Sequence, residues 1–234
     1  MVGVRIVPGT IGPVFRVRRL NLTFHGIGTS PMGVPLDEKS YWVDPDELEA
    51  VLELVRGRSD VRVTFDDGNA SDVELALPRL LERGVTGTFF VLAGRLDTPD
   101  YVDRAGVRAL LDAGMRVGSH GSAHLDWRTL DESRLTREVV DSRRELEALV
   151  GGKVDEASCP FGSYDRRVLR RLRAAGYRRV FTSDDGWTHD GAWLQTRNTL
   201  LGGSAVATTV SLLEPTPRRQ RLMQVLSQTA KRWR

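Results

Sequence analysis

The sequence predicts a parallel α/β fold that closes into a barrel, and three observations carry that prediction. Short β-rich apolar runs alternate with segments of helical period, the pattern of repeated βα units. About seven such units follow one another without an internal repeat, a low-complexity stretch or a Pro/Gly/Ser linker. The length of 234 residues is ordinary for a single α/β barrel. A doubly wound sheet is the rival arrangement of the same units.

The elements follow in order. A strand is expected at 20–24 (LNLTF), and Asp44-Pro45 then supplies a cap and a first-turn proline for a helix over 45–56. The run VRVTF reads as a strand at 61–65. Ser71-Asp72 marks the start of a helix over 72–83, and Gly84 follows it where a C′ glycine belongs. TGTFFVL (86–92) reads as a strand, 101–113 as a helix closed by Gly114, and MRVGS (115–119) as the next strand. Beyond it come a helix over 131–149, a strand at 154–159, a helix over 164–175 ending at Gly176, and strands at 178–182 and 193–200. A last helix is expected over 218–232. Residues 1–214 therefore form the barrel domain and 215–234 a basic amphipathic tail.

Composition excludes several classes. With 40% hydrophobic and 28% charged residues the chain is neither disordered nor collagen-like. No apolar run approaches the roughly 20 residues of a membrane span. The opening MVGVRIVPGTIGPVFRVRRLN is broken by turn residues and has no apolar signal-peptide core, so a cytoplasmic location is expected. A single cysteine, Cys159, excludes an intrachain disulfide and a multi-thiolate metal site. The tail carries six basic residues and no acid, so against a chain total of +3 the other 214 residues carry a net −3. The basic excess is a property of the tail and gives no reason to expect a nucleic-acid partner. Leu222, Val225, Leu226 and Trp233 recur there at helical spacing. Closing the bottom of the barrel is the favoured reading of that helix, and peripheral membrane contact the less favoured one.

Two clusters carry chemistry. VRVTFDDG (61–68) brings a strand to an end in two adjacent carboxylates, Asp66 and Asp67, and a glycine. Neighbouring strand residues point to opposite faces, but where the backbone turns both can serve one site. MRVGSHGSAHLDW (115–127) places His120 and His124 at metal-ligand spacing, also beyond a strand end. In a parallel barrel these ends share the active-site face. Two imidazoles and one carboxylate leave open positions on a divalent metal, which suits catalysis, and the second carboxylate is then free to act as a general base.

TFDDG (64–68) followed by SHGSAH (119–124) resembles the first two motifs of the polysaccharide deacetylases, the NodB-like carbohydrate esterase family 4. Ser158-Cys159-Pro160-Phe161-Gly162 stands where that family has its third, an Arg-x-Pro-aromatic-Gly turn, and the similarity runs from about Leu20 to Leu200. The resemblance implies a distorted (β/α)7 barrel and a metal-dependent hydrolase that removes an N-acetyl group from an N-acetylglucosamine-type unit of a glycan, glycolipid or sugar conjugate. It implies one divalent metal, generally zinc, on Asp67, His120 and His124, with Asp66 as base and the backbone N–H of Phe161 as oxyanion donor.

The chain departs from the family pattern twice. Ser158 replaces the arginine that orients the base, and the closing Leu-x-His motif is missing, WLQTRNTLL (193–201) standing near the last strand instead. Arg197 is the candidate for the arginine's role. His25, at the end of LNLTFHG, is the candidate general acid, because first and last strands adjoin in a closed barrel; His189, in a polar loop, is the alternative. The competing functions are a deformylase or non-sugar amidase on the same metal site, and an inactive carbohydrate-binding protein. Trp127 reads as a sugar-stacking or packed rim aromatic, Cys159 as a buried thiol, Asp184-Asp185-Gly186-Trp187 as a vague match to the fourth motif, and the arginines at 166–173 as a solvated helix face.

Overall fold

The computed structural model describes residues 17–214. The expected helix over 218–232 and the basic tail lie outside the described residues. In chain order the elements are β1 (Arg18–Phe24), β2 (Gly26–Ile27), β3 (Trp42–Val43), α1 (Pro45–Val55), β4 (Val61–Phe65), α2 (Leu77–Arg83), β5 (Gly87–Val91), α3 (Arg104–Asp112), β6 (Arg116–Ser119), α4 (Glu132–Thr136), α5 (Ser142–Val150), β7 (Glu156–Ser158), α6 (Arg166–Ala174), β8 (Arg179–Thr182), β9 (Trp187–His189), β10 (Leu194–Thr196), β11 (Asn198–Thr199) and α7 (Ala205–Leu213). A π-helical turn at Asp72–Ala76 leads into α2, and another at Arg137–Asp141 joins α4 to α5.

Aspartates cap four of the helices, Asp44 among them as expected. Asp44 accepts from Asp46 N ahead of Pro45, and Asp103, Asp131 and Asp165 cap α3, α4 and α6 in the same way. Ser71 is an exception: it makes no cap, and its hydroxyl accepts from Ile27 N at 3.1 Å, tying β2 to the turn before α2.

Parallel strands run in the order β10-β8-β7-β6-β5-β4-β1-β11. The expectation of one strand over 193–200 is corrected here. The stave breaks at Arg197, so that β10 pairs with β8 while β11 pairs with β1. This change of neighbour brings the sheet round into a nearly closed barrel and excludes the doubly wound alternative. Asn21 and Asn198 brace the break: Asn21 Nδ2 donates to Thr196 O at 2.7 Å, and Asn198 Oδ1 accepts from Gly186 N at 2.6 Å. Buried backbone groups that a continuous ladder would satisfy are thereby paired by side-chain amides. β9 adds antiparallel to the start of β1, where Arg19 and Arg62 both pair with Asp190 at the end of the barrel away from the candidate site.

Helices cover the strands on the outside. Phe24, Phe65 and Phe89 stand in register on β1, β4 and β5 and stack with centroids 5.4 and 4.6 Å apart. Each buried phenyl contributes about 1.5–3 kcal/mol, so the ladder anchors the backbone immediately before His25 and Asp66. The arginines of α6 lie on an exposed or half-exposed face, as expected, and three of them also bind neighbouring groups. Arg167 reaches Glu132 Oε1 and Trp127 O, Arg171 reaches Thr136 Oγ1, and Arg173 lies over the Trp193 ring. They tie α6 to its neighbours.

Candidate active site

The strand ends of β1, β4, β6 and β7 meet around one open cavity of about 580 Å³, whose lining includes His25, Tyr41, Asp66, Asp67, Tyr101 and Phe161, with His120 and His124. At the end of β4, Asp66 keeps the inward direction of a strand residue. Asp67 takes a left-handed conformation with φ at 75°, which re-aims a side chain that strand alternation would send outward. This is the turn that lets adjacent carboxylates serve one site. Gly68 continues it at φ 69°, where a Cβ would press on Val91.

Asp66 is 2% exposed and Arg197 1%. Arg197 Nη1 and Nη2 donate to the two Asp66 oxygens at 2.6 and 2.7 Å, a bidentate pair. Ser158 Oγ accepts from Arg197 Nη2 at 2.7 Å and donates to Asp66 Oδ2 at 3.0 Å. The serine of the third turn and the arginine at the strand break thus hold the same carboxylate. Burial alone would push the Asp66 carboxyl up, but Arg197 and His120 overcome it and leave it well below the usual carboxylate range.

His120 and His124 extend from the end of β6. The Ser158 carbonyl can only accept, so His120 Nδ1, 2.9 Å away, donates to it and Nε2 is the nitrogen that faces the site. Both Nε2 atoms lie 3.4 Å from Asp67 Oδ1. Ligand atoms of Asp67, His120 and His124 all fall within 4.8 Å of one another. Zinc bonds of about 2.0–2.2 Å in tetrahedral geometry set ligand atoms about 3.3–3.6 Å apart, and the separations of both Nε2 atoms from Asp67 Oδ1 fit such an ion. Asp67 Oδ1 is also buried without a hydrogen-bond partner among the described residues, as a ligand atom would be. Burial pushes the His124 imidazole down, to about 4, with help from the charge of His120; it therefore presents a neutral ring at neutral pH.

His25 packs edge-on against Tyr41 with centroids 4.9 Å apart, and its Nδ1 has no partner among the described residues. Burial lowers its pKa, and Asp67 and Asp66 act against that. His189 pairs with Arg18 at the opposite end of β1, six residues and so roughly 20 Å from Phe24. The structure therefore separates the two histidines that sequence left as alternatives. Phe161 is 61% exposed at φ 57°, its ring 4.4 Å from that of His124.

Of the two readings of Trp127 the structure supports packing over sugar stacking: it is 1% exposed and its Nε1 faces Glu138. Asp184 accepts from Tyr164 and Thr182 as a buried lock. Cys159 is buried, and burial pushes its thiol up, away from nucleophilic use. Sequence reasoning missed Glu138 and Asp72. The signal for Glu138 was present, an acid on the inner stripe of a helix. Asp72 is a buried carboxyl whose oxygens have no hydrogen-bond partner among the described residues, and burial with Asp67 and Asp66 nearby raises its pKa well above the ordinary value.

A family model described as polysaccharide deacetylase matches residues 55–180. A chitooligosaccharide deacetylase of Rhizobium leguminosarum bv. trifolii is 32% identical over 136 residues, covering 56% of this chain and 61% of the relative. A chitin deacetylase of a Pestalotiopsis species is 30% identical over 153 residues, covering 62% and 51%. The chain thus spans about half to three-fifths of the length of these curated relatives. The Streptococcus pyogenes deacetylase PplD, solved with acetate, superposes with a TM-score of 0.76 at 18% identity over 86% of this chain and 100% of that one, a likeness of fold. His25 and Arg197 both fall outside the segment matched by the family model.

Proposed function

The chain belongs to the polysaccharide deacetylase family, and from that premise we propose that it is a zinc-dependent hydrolase removing the N-acetyl group of an N-acetylglucosamine-type sugar. The observation that carries the reading is the convergence of Asp67, His120 and His124 on one point beside the buried Asp66–Arg197 pair. Bound to those three side chains, a divalent ion supplies Lewis acidity that polarises the acyl carbonyl and acidifies water.

The chain's own residues do the rest. Asp66 takes the proton of the attacking water. A carboxylate has about four lone-pair sites, and Arg197 and Ser158 occupy three of them, so one remains for that proton while the orientation is held. The backbone N–H of Phe161 donates to the oxyanion as charge develops on the carbonyl oxygen. His25 delivers a proton to the departing nitrogen, which leaves as the free amine with acetate as the second product. His25→Ala is expected to fold, to retain zinc and to lose roughly 10²-fold or more in kcat, whereas His189→Ala, altered at the far end of β1, stays at wild-type turnover. Steady-state kinetics with metal analysis of both variants checks this, and a near wild-type His25→Ala counts against it.

The activity is tested by acetate release from chitooligosaccharides. Release that is lost on chelation and restored by zinc is the expected result. No acetate from any N-acetylated sugar by the zinc-loaded chain, or release indifferent to chelation, contradicts the proposal.

A further inference from the structure

Glu138 is a buried carboxylate that the proposed reaction does not use. It is 2% exposed and lies on the inner stripe of the long helix with Leu135, Val139, Ser142 and Leu146, all buried. An acid there is tolerated only if its oxygens are satisfied. They are satisfied by the loop that carries the two site histidines. Oε2 accepts from Ser122 N at 2.9 Å, Oε1 from Ala123 N at 3.1 Å, and Oε2 again from Trp127 Nε1 at 3.4 Å. All three donors are neutral N–H groups, and the two backbone donors lie between His120 and His124.

The surrounding structure is built to make this contact. Glu138 sits in the π turn between α4 and α5, a local widening that recurs at functional sites. Ser142, one helical turn on, donates to the Glu138 carbonyl and lies 3.4 Å from Ser119 Oγ, which in turn accepts from Gly121 N at 3.2 Å. Gly121 has φ at 86°, and a Cβ there would stand 2.4 Å from Glu138 Oε2. Only glycine lets the carboxylate close on the loop. His124 itself is left-handed at φ 55°, a conformation that persists only where its surroundings enforce it.

We propose that Glu138 is a positioning residue of the metal centre. Its carboxylate fixes the backbone at 122–123 so that both imidazole Nε2 atoms reach the same Asp67 oxygen. The inference rests on the reading of Asp67, His120 and His124 as a metal site.

Glu138→Gln keeps the size of the side chain but replaces one acceptor by an N–H₂ group, which cannot accept from Ser122 or Ala123. Zinc affinity of the purified full-length chain, read by competition with a chromophoric chelator, is expected to weaken by about 10- to 100-fold, with kcat largely recovered at saturating zinc. A merely structural role would lower the melting temperature of the metal-free chain and leave zinc affinity unchanged, and that result overturns the proposal. If Glu138→Gln does not fold, Glu138→Asp, which keeps the buried charge but withdraws it by one methylene, is measured in the same way. Weakened zinc binding there supports the proposal and unchanged binding overturns it. A wild-type chain that takes up no zinc overturns the metal reading and this inference with it, whereas normal wild-type uptake with an unshifted variant overturns this inference alone.

Discussion

Arg197→Met is expected to melt well below the wild-type chain and to release acetate at least roughly 10²-fold more slowly. The guanidinium makes two short bonds to Asp66 and a third to Ser158, all buried. Removing it leaves a carboxylate out of water with only the Ser158 hydroxyl as donor. Breaking a buried pair in this way costs about 3–5 kcal/mol, which for a chain of this size is a fall of about 6–20 °C in Tm. The double variant Arg197→Met/Asp66→Asn removes the stranded charge and should recover much of the lost stability while remaining inactive. Thermal unfolding and acetate release on the three proteins check the pair. A single variant with wild-type Tm and turnover would show that Arg197 does not hold the base.

That arginine also marks where sequence reasoning succeeds and where it stops. The chemistry at Asp66, Asp67, His120 and His124 was legible because each pair sits just past a run with clear strand character, and parallel strands bring such ends to one face. The strand break that seats Arg197 was not legible. LQTRNT has no glycine, proline or apolar interruption, and its two halves differ only in which neighbour they pair with. β2, β3 and β9, two or three residues each, are too short for any periodic signal, and their existence depends on tertiary contacts such as the Trp42 ring lying on Gly26. α7 was missed because AVATTVSLL is rich in β-branched residues, which propensity alone reads against a helix. For Trp127 the sequence leaves sugar stacking and packing open, and the structure packs it. Its indole is drawn inside by a buried acid eleven residues along the chain, a pairing that neither segment announces alone.

Asp66→Asn is the second large expected effect. The amide is isosteric with the carboxylate and can still accept from Arg197 through its oxygen, but it cannot take a proton from water. Turnover is therefore expected to fall by roughly 10²-fold or more. Asp66 shares its position on the chain with a neighbour of the same chemistry, and the left-handed turn at Asp67 is what divides their roles. Asp66 faces Arg197 and Ser158, and Asp67 faces the two imidazoles at 3.4 Å. Zinc content per chain in Asp66→Asn and Asp67→Asn, measured side by side by elemental analysis, tests that division most directly. About one zinc retained in Asp66→Asn with none in Asp67→Asn is the predicted result. Loss of zinc from Asp66→Asn, with retention in Asp67→Asn, would contradict it.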